Sequence, residues 1–155
     1  MRTVSKNFVE TAAYFQKDYP LTLLFSAVDD KDYTDMIRTI LDKISFRHVI
    51  VTQVGGYRKV PAEHLAEIFK EQGCPSAEAC ENVEMAFKKA LEQKGEDGML
   101  FCVGSLYLVG EIKTAILKGI GNKGERYDRL RRRTEKILNH VWMLQTLKVR
   151  FMTES

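Results

Sequence analysis

Met99-Leu100-Phe101-Cys102-Val103-Gly104-Ser105-Leu106-Tyr107-Leu108-Val109-Gly110-Glu111-Ile112-Lys113 decides the fold of this chain. Five apolar residues in a row suit a strand covered on both faces, and the glycine and serine that end the run turn the chain at once into a helix. Such a strand presents backbone N–H groups and a hydroxyl at its carboxyl end, where open α/β sheets bind ligands.

The rest of the chain repeats the same plan. Leu21 to Val28 reads as a second buried strand, preceded by a short helix over Phe8–Phe15. Tyr33, Met36, Ile37, Ile40, Leu41 and Ile44 recur at three- and four-residue steps, which is one face of a helix laid on a sheet. Val49–Thr52 is a further strand, and Pro61 suits the first turn of a helix whose inward face is Leu65, Ile68 and Phe69. Ser76–Cys80 is a weak strand, followed by a helix with Val83, Ala86, Phe87, Ala90 and Leu91 inward and Gly95 at its end. Strands and helices alternate, so the predicted fold class is α/β, with a mostly parallel, Rossmann-like sheet and helices on both faces.

The chain divides by charge. Its 155 residues carry a net charge of +3, yet residues 119–155 hold nine Lys and Arg against four Asp and Glu, leaving 15 against 17 in residues 1–118. We therefore expect an α/β domain over 1–118 and a glycine-rich link with a basic amphipathic helix over 119–155. The helix is expected from about Arg126 to Arg150, with Leu130, Ile137, Val141, Leu144 and Phe151 on its apolar face. Its charges alternate in sign around the helix, so a nucleic-acid partner is disfavoured. The apolar face needs cover, either by folding back on the chain's own sheet or by a homodimer through this helix, with the homodimer slightly preferred. No run is long enough to span a bilayer, and Met1–Lys6 lacks the apolar core of a signal peptide, so we expect a cytoplasmic protein with no membrane partner. Cys74, Cys80 and Cys102 form no C-x-x-C pair and read as buried free thiols.

Catalytic constellations are sparse. No G-x-x-x-x-G-K-[ST] loop is present, and Gly121-Asn122-Lys123-Gly124 has neither its spacing nor a preceding strand. His48, His64 and His140 are scattered and read as structural or surface residues. No catalytic residue and no metal ligand is assigned. Asp29-Asp30-Lys31-Asp32 follows the first strand, where one aspartate would cap the next helix. Ser105 suits either a helix cap or a carboxylate ligand, and Arg58, in Gly55-Gly56-Tyr57-Arg58, is either solvated or an anion ligand.

Taken in order, these segments resemble a known family. Gly104–Lys113 is similar to the last motif of the folylpolyglutamate synthases, some of which are also dihydrofolate synthases, within the Mur-ligase superfamily. Ser26-Ala27-Val28-Asp29-Asp30-Lys31-Asp32 with Tyr33 and Met36 resembles the family's Asp-Lys-Asp loop. Val49-Ile50-Val51-Thr52, Arg58, Pro61, Leu65-Ala66 and Gly73-Cys74 follow in the family's sequence, over roughly residues 8 to 117. The resemblance is to the C-terminal domain alone. It implies a Mur-ligase-type fold and a reaction dependent on ATP and magnesium, in which a folate carboxylate becomes an acyl phosphate and is attacked by the amino group of glutamate. It also implies substrate binding by Ser105, Gly104, Tyr107 and Arg58, and a nucleotide-proximal loop of Asp30, Lys31 and Asp32. The chain would bind no cofactor by itself, and its partner would be an N-terminal ATPase domain or a separate subunit. One departure stands out. The family opens this domain with Asp-Gly-Ala-His-Asn-Pro, whereas this chain has Thr3-Val4-Ser5-Lys6-Asn7-Phe8 and keeps only Asn7. A non-catalytic interaction or regulatory protein that retains the fold is therefore the alternative.

Overall fold

The computed structural model describes residues 6–27, 32–54, 56, 59–104, 106–120, 141–145 and 148–151. Among these, six strands form one sheet: β1 (Leu21–Phe25), β2 (His48–Val51), β3 (Glu78–Ala79), β4 (Met99–Val103), β5 (Val141–Gln145) and β6 (Lys148–Phe151). Their order is β3-β2-β1-β4-β5-β6. The first five run parallel, with Phe25 beside both Val51 and Val103, and β6 pairs antiparallel with β5. Every residue of β1 and β4 is buried, which explains why each reads as an unbroken apolar run.

Among the described residues, five helices accompany the sheet: α1 (Lys6–Phe15), α2 (Tyr33–Lys43), α3 (Ala62–Glu71), α4 (Val83–Lys94) and α5 (Leu106–Ile120). One core layer joins Phe8 of α1, Ile37 and Ile40 of α2, and Leu65 and Phe69 of α3 to Leu23, Phe25, Val51 and Phe101 of the sheet. The other joins Ala86 and Phe87 of α4 and Leu108 and Ile112 of α5 to Leu24, Ile50, Leu100 and Cys102. Side chains from alternate sheet positions thus supply the two layers. Aromatic edges lock the first layer, with Phe8 against Phe101 at 5.5 Å and Phe25 against Phe69 at 5.5 Å. Cys74 and Cys102 are buried and Cys80 is half-buried, all three as free thiols. Among the described residues, no helix is long and apolar enough to cross a membrane.

The described part of the tail differs from the expected helix. Residues 141–145 and 148–151 are strands, and β5 pairs with β4, so the sheet extends past the expected boundary at 118. Helix α5 also runs through Gly119 to Ile120, where a link was expected. The physical reason lies in the pattern. Val141-Trp142-Met143-Leu144 is a short continuous apolar run that helix and strand periodicities fit equally, whereas Lys148-Val149-Arg150-Phe151 alternates with period two. Val141, Leu144 and Phe151, expected on the apolar face of a dimerising helix, lie on β5 and β6 instead. Residues 121–140, including His140 and most of the basic cluster, lie outside the described residues.

Candidate functional site: the crevice at the carboxyl edge

Because β1 and β4 are parallel neighbours in register, the segments that follow them leave the sheet at the same edge. They then part. The chain after β1 goes to α2 in the first core layer, and the chain after β4 goes to α5 in the second. This divergence makes the tips of β1 and β4 the topological switch point, the position of the ligand-binding crevice in open α/β sheets.

Backbone hydrogen bonds carry the sheet one residue past its strands and fix the crevice floor. Ser26 N–H donates to Val103 O at 3.1 Å, Thr52 N–H to Phe25 O at 2.9 Å and Cys80 N–H to Val51 O at 2.9 Å. Ser26 and Thr52 are both fully buried. The Thr52 hydroxyl donates to Glu81 O at 3.4 Å, whereas the Ser26 hydroxyl has no hydrogen-bond partner. Gly104 closes over Ser26 with φ +153°, and a Cβ on it would lie 2.5 Å from Ser26 O and 2.6 Å from Ser26 Oγ. Only glycine fits there.

Helix N-termini ring this edge, and three are closed by side-chain acceptors. Asp32 Oδ1 accepts from Asp35 N–H at 3.1 Å at the head of α2, and Asn82 Oδ1 accepts from Met85 N–H at 2.9 Å at the head of α4. At α3, Pro61 occupies the cap position, just before the helix, and Gln53 Oε1 supplies the acceptor for Ala62 N–H at 2.9 Å. Tyr107, in the first turn of α5, is 56% exposed and free to meet a ligand or a partner surface. His64 is exposed at the head of α3, with its ring edge-on to Tyr33 at 6.1 Å. Among the described residues no three His, Cys, Asp or Glu side chains are grouped to hold a metal ion.

No family model matches the chain. It is 28% identical over 106 residues to a probable bifunctional folylpolyglutamate synthase/dihydropteroate synthase of Haloferax volcanii, covering 68% of this chain and 12% of that protein. The fold matches the Mycobacterium tuberculosis folylpolyglutamate synthase complexed with ADP, at TM-score 0.55 and 23% identity over 68% of this chain and 26% of that one. It also matches the Yersinia pestis bifunctional folylpolyglutamate synthase/dihydrofolate synthase complexed with AMPPNP and a manganese ion, at TM-score 0.57 and 18% identity over 70% and 26%. The chain resembles one domain of folylpolyglutamate synthase. It spans about a quarter of the length of those solved enzymes and 12% of the archaeal relative.

Of the site residues that the resemblance suggested, Gly104 and Tyr107 stand at the crevice or on the helix leading from it, and Asp32 heads α2 nearby. Asp32 has one carboxylate oxygen engaged as a helix cap, so that part of the Asp-Lys-Asp loop has a structural role. Ser105, Arg58, Asp30 and Lys31 lie outside the described residues. Sequence reasoning did not single out Ser26 or Gln53. The signal for Ser26 was present, since a hydroxyl residue directly after a fully buried parallel strand stands at the ligand-binding edge.

Proposed function

We propose that the chain is the C-terminal, substrate-binding domain of an ATP-dependent folylpolyglutamate synthase and is not catalytic alone. The observation that carries this reading is the topological switch point between β1 and β4, where Gly104 follows β4 two residues before α5 begins at Leu106. The likeness to folylpolyglutamate synthases over about 70% of the chain supports it. In this reading the edge receives a carboxylate of the incoming glutamate through the first-turn amides of α5, with Ser105, Tyr107 and Arg58 around it. Asp30 and Lys31 would turn toward the nucleotide held by the larger ATPase domain. ATP and magnesium belong to the complete enzyme, where the nucleotide activates the folate carboxylate as an acyl phosphate. Glutamate nitrogen then displaces phosphate to form the amide.

A non-catalytic interaction protein is the second reading, favoured by the altered segment Thr3-Val4-Ser5-Lys6-Asn7-Phe8. Purified chain should neither hydrolyse ATP nor extend a folate. Adding a folylpolyglutamate synthase ATPase domain in trans should restore glutamate-dependent ATP turnover. Turnover by the chain alone overturns the domain reading, and failure of complementation with a demonstrably folded partner favours the interaction protein.

A further inference from the structure

We propose that the Ser26 hydroxyl is a binding group for an anionic oxygen seated at the first turn of α5, an assignment that rests on the substrate-binding reading above. Ser26 is fully buried, and its Oγ has no hydrogen-bond partner. A buried hydroxyl left unpaired is costly, and native structures usually supply a partner. Thr52, in the equivalent place after β2, has one in Glu81 O. Ser26 therefore holds a donor in reserve at the tip of β1, in the crevice where the sheet's connections diverge.

The surroundings indicate what the donor is for. The opening amides of any helix lack intrahelical acceptors and carry partial positive charge, and α5 opens at Leu106, two residues after Gly104. A hydroxyl donor packed against Gly104, the residue two before that helix begins, suits an oxyanion, either a carboxylate or a phosphate. In the free chain Gly104 covers Ser26 Oγ so closely that a Cβ there would lie 2.6 Å from it. Glycine has a wide range of backbone conformations, so the ligand reaches the hydroxyl as the Gly104 backbone rotates away. Ser26 thereby contributes to affinity at the expense of stability in the empty state.

The test uses the full 155-residue chain labelled with nitrogen-15, titrated separately with L-glutamate and with inorganic phosphate. The readout is the amide shifts of Gly104, Tyr107 and Leu108, with urea unfolding in parallel. In wild type one of the two probes should give saturable shifts, and which one does so identifies the source of the anion. Ser26→Ala should weaken that binding by about tenfold or more, as expected when a hydrogen bond to a charged group is lost. Its urea midpoint should be unchanged or higher, because an unpaired buried hydroxyl has been removed. Unchanged affinity in Ser26→Ala overturns the assignment and leaves the substrate-binding reading standing. A lowered urea midpoint marks the hydroxyl as a structural donor and also overturns it. Absence of shifts with either probe in wild type overturns both.

Discussion

Gly104→Ala is the perturbation whose outcome the geometry fixes most tightly. Gly104 has φ +153°, outside the range that residues with a Cβ adopt readily, and holding alanine there costs about 1–3 kcal/mol. The added methyl would also lie 2.5 Å from Ser26 O, a backbone atom that cannot rotate aside. Ser26 N–H is itself bonded to Val103 O, so relief requires the tips of β1 and β4 to part. Overpacking of this kind costs about 1–3 kcal/mol, which gives a combined loss of roughly 2–6 kcal/mol. In urea unfolding followed by far-ultraviolet circular dichroism, an m-value of about 2 kcal/mol/M converts that loss to a midpoint lower by roughly 1–3 M. Gly110→Ala is the internal control. Gly110 lies within α5, where an added methyl would meet no atom within 4 Å, so this substitution should gain about 0.5–1 kcal/mol. Adding Ser26→Gly to Gly104→Ala removes the Oγ contact but leaves the carbonyl, so recovery should be no more than about 1 kcal/mol. A Gly104→Ala chain within about 0.5 kcal/mol of wild type, or full rescue by Ser26→Gly, would refute the packing argument.

Three further outcomes follow from the same structure. Asn82→Ala removes the acceptor for Met85 N–H at the head of α4 and should lower stability by about 1 kcal/mol in urea unfolding, with Asn82→Ser losing less. Phe101→Ala empties a fully buried site packed edge-on by Phe8 and should lower stability by about 3–5 kcal/mol, close to the loss of a cooperative transition. Lys94 is buried at the end of α4, where its Nζ donates to Gly95 O at 2.8 Å, and burial lowers its pKa despite the nearby Glu96 carboxylate. Between the lowered folded value and the ordinary unfolded value near ~10.4 the unfolded chain binds more protons, so stability contributed at this site rises with pH through that window. Lys94→Met lacks this dependence. Unfolding measured from about pH 7 to 10.5 should show wild type gaining on the variant as pH rises, and parallel curves would exclude the effect.

Much of this architecture is legible because burial on both faces leaves a strong trace in sequence. Leu21–Phe25 and Met99–Val103 are continuous apolar runs since the two helical layers leave no solvent face on either strand. The inward faces of α2, α3 and α4 follow from three- and four-residue spacing, and Gly95 ends α4 with φ +68° as a C-terminal glycine should. The tail misleads for a complementary reason. Val141–Leu144 is too short for its period to distinguish a helix from a strand, and the arginine cluster before it suggests one long amphipathic element. At the site, Gly104 is visible because it breaks an apolar run. Ser26 is easily passed over because a small residue after a strand also reads as an ordinary turn, and its unpaired burial depends on contact with a residue 78 positions away.

That distant contact nonetheless follows from connectivity. Parallel crossovers are right-handed, so helices linking strands laid down in one direction across the sheet sit on one face, and those laid down in the other direction sit on the opposite face. From β1 through β2 to β3 the chain moves outward, with α2 and α3 in one core layer. It then crosses back over the sheet to β4 and on to β5, with α4 and α5 in the other layer. Between β1 and β4 the two directions meet, so the connections that leave these two strands diverge to opposite layers. Ser26 and Gly104 are the first residues beyond those two strands, in register across the pair. Any ordering that kept β1 and β4 adjacent and parallel would bring them together. The glycine permits the close approach, and the serine places a hydroxyl where neither strand can satisfy it. The crevice is therefore a consequence of chain direction and handedness, while these two residues determine its chemistry.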